Sequence, residues 1–472
     1  MKQPLWIALL LYLFSSLVQA EDFSVPDSVR GSLCIVHADH KVVMVKETFS
    51  RKLSLPGGTI SKGEDPKLTA QRETWEEAGL IVNPVQKLGY TDTAVVYECV
   101  PQSKVVAFAH RQGLKGKALP AWFAPHFGIE VKDVLAIEPL LVDASDYRYP
   151  EQWSAITQWV SEVTSYPTQY VEDLVSNGNA WQRFELRLLS NVYQLAEGQP
   201  LFKSLIGLCV LVSNLLLSPV FLGLSLVVAA WKGGVVVAQK LLFIQLLTVL
   251  MAVVAKFGFA LPAPGQFLGL LSEQNIALSF PSVRAALLAA TGTFVLRLVH
   301  MPLVILLSGF VLLFLACLGM FLQYQVFVTD ILFGVALGYF VARHFFKLAV
   351  SQETQLAKVT QTKGAWFVLT LLAAVFAWTW YATSLLQVTA LSGTVLLIML
   401  CFGERPLAQA KLNPVLTSMS IALGYFLSEY LHTFVASSAV FSLLVEVLYM
   451  PVILTLIYVP SLIARKLNDK PK

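Results

Sequence analysis

From residue 204 to residue 464 the chain is a succession of long apolar runs, and nothing else in it constrains the fold as strongly. A run of about 20 apolar residues crosses a bilayer as a helix, because in hydrocarbon every backbone N–H and C=O must be paired within the segment. Such runs lie near 204–230, 240–260, 284–300, 302–322, 327–345, 364–387, 389–403, 414–436 and 440–463, which predicts nine spans. Residues 21–200 have ordinary charge density, so two physical regimes share one chain. Over all 472 residues only 14% are charged against 56% hydrophobic, which excludes both a freely soluble protein and a disordered chain. The net charge of +4 is small, and the basic residues of the second half sit in loops without interleaved aromatics, so no nucleic-acid partner is expected.

The N-terminus has the parts of a secretory signal: Lys2, the apolar stretch Leu5–Leu17, and Val18-Gln19-Ala20 before Glu21-Asp22. Cleavage after Ala20 is expected, with an uncleaved anchor as the alternative; either places the first domain outside the inner membrane. Alternating the spans from an outside start at residue 204 puts most cations in inside loops, among them Lys232, Lys240, Arg297, Arg343 and Lys363. Only Lys256 and Arg284 fall outside, so the pattern obeys the positive-inside rule and marks those two as exceptions. Of five cysteines, Cys209, Cys317 and Cys401 lie in apolar runs and read as small buried hydrophobes. Cys34 and Cys99 are able to pair if the first domain is exported. Both read as strand residues without a supporting spacing, however, so two unpaired thiols are the favoured expectation. No zinc spacing is present.

The first domain reads as a mixed α/β layer structure. Residues Gly31–Glu47 alternate and are β-rich around a turn at His37-Ala38-Asp39-His40, which predicts a hairpin. A second strand pair is expected at Ala94–Val100 and Val105–His110, with helices at 65–78 and 150–164. In the first helix Glu73, Glu76 and Glu77 stand at i, i+3 and i+4, so their carboxylates share one face. Three like charges there call for a cation, and a hard divalent ion such as Mg²⁺ takes oxygen ligands and shares them with phosphates. Gly57 and Gly58 allow a tight loop against the helix, Pro66 suits its first turn, and Gly79 suits its end.

The whole string from Gly58 to Leu80 resembles the Nudix box: glycine, five residues, Glu64, seven residues, then Arg72-Glu73-Thr74-Trp75-Glu76-Glu77-Ala78-Gly79-Leu80. Thr74 in a hydrophobic slot is the one departure. The resemblance covers residues 28 to 165 and implies Mg²⁺- or Mn²⁺-dependent cleavage of a diphosphate linked to another group. It implies metal binding by Glu76 and Glu77, metal binding or water positioning by Glu73, orientation of the glutamates by Arg72, and a carbonyl ligand from Gly58. Glu64 is expected to join through water. A further acid outside the box is sought among Glu98, Glu130 and Asp133.

In the membrane half, Lys256 followed by Ala263-Pro264, then Ser279-Phe280-Pro281-Ser282-Val283-Arg284, then Asp330 with Gly334 and Gly338, resembles the type 2 phosphatidic acid phosphatase family over residues 204–350. That resemblance implies a site whose chemistry is eroded. Val326 stands in the nucleophilic histidine slot, Arg284 in the other histidine slot, and Ala263, Gly319 and Met320 in further polar slots. Valine cannot attack phosphorus, but Lys256, Ser282 and Arg284, with Asp330 retained, are able to grip a phosphorylated lipid. Glu446 inside the last run is either functional or paired with a neighbouring helix. Glu429 and His432 belong near an interface, and Trp181 and Phe184 suit a membrane surface.

The expected organisation is a signal at 1–20, a Nudix-type α/β sandwich domain at 21–165, a polar helical linker at 166–203, a phosphatase-like helical membrane domain at 204–350, and further helices with a cytoplasmic tail at 351–472. The expected function is Mg²⁺- or Mn²⁺-dependent hydrolysis of a nucleotide-, sugar- or lipid-linked diphosphate on the outer face of a bacterial-type inner membrane, with membrane lipids as partners. The alternatives are lipid or polyprenyl-diphosphate phosphatase activity in the membrane half, and a non-catalytic lipid-binding module.

Overall fold

The computed structural model describes residues 26, 28–110, 116–270, 277–298, 302–350, 360–403, 413–435 and 438–468. The expected signal and its cleavage site lie outside them.

The N-terminal domain is a mixed α/β fold in which β1 (Gly31–Ile35) and β3 (Lys41–Glu47) belong to different sheets. The predicted hairpin is therefore corrected. Asp39 and His40, both at positive φ, turn the short β2 (His37–Ala38) back onto β3, while β1 leaves for a neighbouring sheet. There β1 lies between β5 (Gly57–Thr59) and β7 (Ala94–Pro101), antiparallel to the first and parallel to the second, with β6 (Val82–Tyr90) beyond β7. The other sheet runs β2, β3, β10 (Val131–Ile137), β9 (Gly116–Ala118), and β4 (Leu53–Ser54) pairs with β3. The expected pairing of the 94–100 and 105–110 strands is also corrected, since β8 (Val105–Phe108) pairs instead with β11 (Thr168–Val171). That strand opens the stretch read as a helical linker.

Helix α1 (Pro66–Ala78) begins at Asp65, whose side chain accepts the Lys67 N–H, and ends at Gly79 in the left-handed region. Both faces of β3 are buried, which explains its unbroken Val42-Val43-Met44-Val45. Val43 and Val45 pack in the core that includes Ala70 and Ala78 of α1. Val42 and Met44 join Trp153, Ile156 and Val160 of α2 (Trp153–Glu162). Cys34 on β1 and Cys99 on β7 form a disulfide with Cα atoms 5.6 Å apart, against the expectation of two free thiols. The parallel register places Cys34 opposite Tyr97, and Cys99 two residues on shares its face, a proximity that sequence spacing does not show.

The remainder is all-helical: α3 (Ala180–Glu197), α4 (Pro200–Leu216), α5 (Pro219–Gly233), α6 (Val235–Phe259), the single turn α7 (Pro264–Leu268), α8 (Val283–Leu298), α9 (Leu303–Leu322), α10 (Val328–Val350), α11 (Lys363–Trp380), α12 (Thr383–Phe402), α13 (Pro414–Val435) and α14 (Ala439–Asn468). Six helices among the described residues are long and apolar enough to cross a membrane, and a seventh span results if α4 and α5 count as one. The expected first span is in fact this pair, bent by 57°. Pro219 cannot continue the ladder of α4, and the Ser218 hydroxyl accepts the Phe221 N–H to start α5. The 364–387 run likewise breaks at Tyr381, which takes a left-handed conformation. Cys209 and Cys317 are buried as expected, but Cys401 is exposed on the outer face of α12.

Close packing of α8 on α10 depends on Gly338, where a Cβ would collide with the Ala286 carbonyl. Helix alternation sets the turns after Phe259, Leu322, Trp380 and Val435 on one side. The α/β domain docks there. Trp122 packs on Phe267, Gly128 lies against Ala277, and Arg51 pairs with Glu429 at 3.3 Å, while the Glu185 carboxylate of α3 accepts the Val328 N–H at 2.6 Å within the helical region. Helix α3 leaves Trp181, Phe184, Leu188 and Leu195 exposed on one face, the pattern of a helix lying in a membrane interface.

Closing the 65-residue separation between Cys34 and Cys99 stabilises the domain by about 4 kcal/mol in the chain-entropy account. Reduction, or replacement of both cysteines by alanine, is expected to lower the melting temperature of the α/β domain. Equal melting curves with and without reductant would show that the bond is not formed in the protein.

Candidate functional site

Helix α1 carries its acids on the side that faces the Gly57-Gly58 strand and the loop before β10. Glu73 and Glu77 are buried, and Glu76 is partly covered. Arg72 provides the charge balance. Its guanidinium lies 2.7 Å from Glu76, 2.8 Å from Glu73 and 3.0 Å from Glu64, so one cation bridges three carboxylates. The hydrogen bonds from Arg72 hold Glu64 down at about 2, while the Ser61 N–H adds a further donor. Burial pushes Glu73 up, an effect that Arg72 partly offsets. Burial also pushes Glu77 well above the usual carboxylate range. The Gly57 N–H, donating at 2.9 Å, works against that rise, while the charges of Glu73, Glu47 and Glu130 add to it.

Each box residue therefore has a distinct place. Gly58 packs so closely on Glu73 that any Cβ would run into the carboxylate, which is why a glycine is needed there. Gly57 supplies a backbone donor to Glu77. Thr74, the departure from the pattern, buries its hydroxyl by donating to the Ala70 carbonyl at 2.7 Å. Glu130 comes close to the cluster, while Glu98 accepts the Thr164 N–H elsewhere and Asp133 is buried within β10.

The structure also adds residues that the sequence reading missed. His126 brings its ring to within 3.9 Å of Glu76, and the ligand atoms of Glu73, Glu76 and His126 all lie within 4.8 Å of one another. Glu47, at the end of β3, faces the same region and pairs with Arg148 at 2.7 Å. Neither has a sequence signal, since each is brought in by a chain reversal. Buried acids that repel one another, with an imidazole beside them, form a donor set suited to a divalent cation.

The family model described as the NUDIX domain matches residues 27–147. No curated protein matches the chain. The Nudix domain is thus a mixed α/β unit followed by an all-helical region with several candidate spans. Its family supports a hydrolase acting on diphosphate bonds, and family members typically use divalent metals.

The four residues singled out in the membrane half also come together, beneath the docked domain. The Ser282 N–H donates to the Asp330 carbonyl, and its hydroxyl accepts the Ala285 N–H. Asp330 accepts the Phe327 N–H at 2.8 Å. Arg284 donates to Gln325 at 3.1 Å, and Lys256 lies within electrostatic reach of both Arg284 and Asp330. Val326 is buried among apolar neighbours. Glu446 is paired rather than isolated, accepting from Gln387 at 3.2 Å and lying 3.1 Å from the His432 ring.

Glu64 carries a depressed pKa in the folded state, so its contribution to stability is present above the ordinary carboxylate range and is lost as pH falls through about 2. In metal-free protein, the melting-temperature gap between wild type and Glu64→Gln is expected to be smallest near pH 2, to open as pH rises from there to about 4.5, and to stay constant above that. A gap that does not vary over that range would dissociate Glu64 from Arg72.

Proposed function

We propose that this chain is a membrane-held Nudix hydrolase that cleaves a diphosphate bond in a nucleotide-, sugar- or lipid-linked substrate on the outer face of the membrane, with Mg²⁺ or Mn²⁺. The observation that carries the reading is the convergence of Glu73 and Glu76 on one polar cluster, bridged by Arg72, within a matched Nudix domain. A bound divalent ion would neutralise diphosphate oxygens and lower the pKa of an attacking water. Glu73, Glu76, Glu77 and the Gly58 carbonyl are the groups that would hold it. Arg72 keeps the carboxylates oriented. The outer location is supported by the Cys34–Cys99 disulfide, which persists in oxidising compartments, and by the paucity of cations at the helix ends where the domain docks.

A second reading concerns the membrane half. Lys256, near both Arg284 and Asp330, and Ser282, bonded to the Asp330 carbonyl, support a grip on a lipid phosphate in a fold like that of the type 2 phosphatidic acid phosphatases. Buried Val326 offers no nucleophile, so binding without hydrolysis is the function assigned to this pocket.

Purified full-length protein is expected to release monophosphate from one or more of nucleotide-diphosphate sugars, dinucleotides and polyprenyl diphosphate in the presence of Mg²⁺ or Mn²⁺. Glu76→Gln is expected to lower that rate by at least about 100-fold, more than loss of an outer-shell partner costs. Hydrolysis that survives Glu76→Gln but is lost in Arg284→Ala would move catalysis to the membrane pocket. A reporter fused after residue 165 tests sidedness, and activity confined to the cytosol would overturn the outer location.

A further inference from the structure

His126 lies outside the Nudix box, on the loop between β9 and β10, yet its backbone is tied to α1. Its N–H donates to the Glu76 carbonyl at 2.8 Å, and its own carbonyl accepts from the N–H groups of Ile129, Glu130 and Val131 at 3.0–3.1 Å. The ring is held between two carboxylates, with Nε2 3.9 Å from Glu76 and Nδ1 3.7 Å from Glu130. Both separations exceed a hydrogen bond, so neither carboxylate is bonded directly to the ring. Donor atoms around one octahedral ion with bonds of about 2.1 Å stand about 3–4.2 Å apart. The Glu73, Glu76 and His126 donors, all within 4.8 Å of one another, need only a small contraction to reach that spacing.

We propose that His126 is a ligand of the divalent metal of the Nudix site, donating its Nε2 lone pair, and that the membrane half holds it in place. This rests on the Nudix reading given above. The second ring nitrogen supports it. Nδ1 is buried without a hydrogen-bond partner and faces Glu130, the kind of carboxylate that receives the other N–H of a metal-bound histidine and fixes its tautomer. The loop that carries His126 is pinned on both sides. Phe123 packs on Trp75 of α1, Trp122 packs on Phe267, and Gly128, at positive φ, lies so close to Ala277 that a side chain there would displace one of them. Phe267 and Ala277 belong to the segment between α6 and α8, so the third ligand is presented by a loop seated on the membrane half. A mixed nitrogen and oxygen donor set accommodates Mn²⁺ and later transition ions more readily than an all-oxygen set suited to Mg²⁺.

The test uses full-length protein in nanodiscs, with Mn²⁺ alone as the probe. Pulsed electron paramagnetic resonance is expected to show a directly bonded nitrogen, and ¹⁵N-histidine labelling is expected to change its coupling. Calorimetry is expected to show Mn²⁺ affinity falling about 10–100-fold in Glu130→Gln, which keeps the nitrogen, and at least as far in His126→Ala, which loses it. The labelled wild type decides the matter if His126→Ala does not fold. Mn²⁺ binding that depends on Glu73 but shows no histidine coupling would overturn this inference and leave the Nudix reading standing. A coupling that persists in folded His126→Ala would overturn it as well, whereas no Mn²⁺ binding by the wild type would remove both.

Discussion

A helix that buries Glu73 and Glu77 and half-covers Glu76 can fold only if something answers its negative charge, and Arg72 is the answer on which the α/β domain depends. One guanidinium satisfies Glu64, Glu73 and Glu76 together, and a planar fork with fixed donors does this better than a flexible ammonium would. Glu77 is treated differently. It takes a backbone donor at Gly57 and is biased by burial toward its neutral form. Adjacent residues on one helix thus acquire separate chemical characters from their surroundings.

The membrane half contributes position as well as attachment. Its loops on one side carry the surface on which the Nudix domain sits, through apolar contacts at Phe267 and Ala277. The exposed pair Arg51–Glu429 adds little to that seat, because both partners remain solvated. The same side gathers Lys256, Ser282, Arg284 and Asp330. Glu446 follows the general rule for acids in an apolar setting by finding Gln387 and His432 on neighbouring helices.

Where the sequence reading needed correction, the cause was long-range pairing. The turn at Asp39-His40 is local and was legible, but the crossing of β1 to a second sheet beside β7 depends on partners some 60 residues away. That crossing brings Cys34 beside Cys99, and it separates strands whose alternation had suggested a simple hairpin. The bends at Pro219 and Tyr381 divide apolar runs that hydropathy alone leaves continuous.

The sequence by itself determined the acidic helix, its caps at Asp65 and Gly79, the box that spaces Glu64, Arg72, Glu73 and Glu76, and the division into a charged domain and an apolar helical half. These are short-range properties, set by 3.6-residue periodicity, by φ at single residues and by the length of apolar runs. Only the tertiary structure decided that His126, Glu47 and Glu130 meet the helix, that the cysteines bond, and that the site's loop rests on the membrane half. Those outcomes depend on which distant segments pack together, and packing among separate elements leaves no periodic trace along the chain.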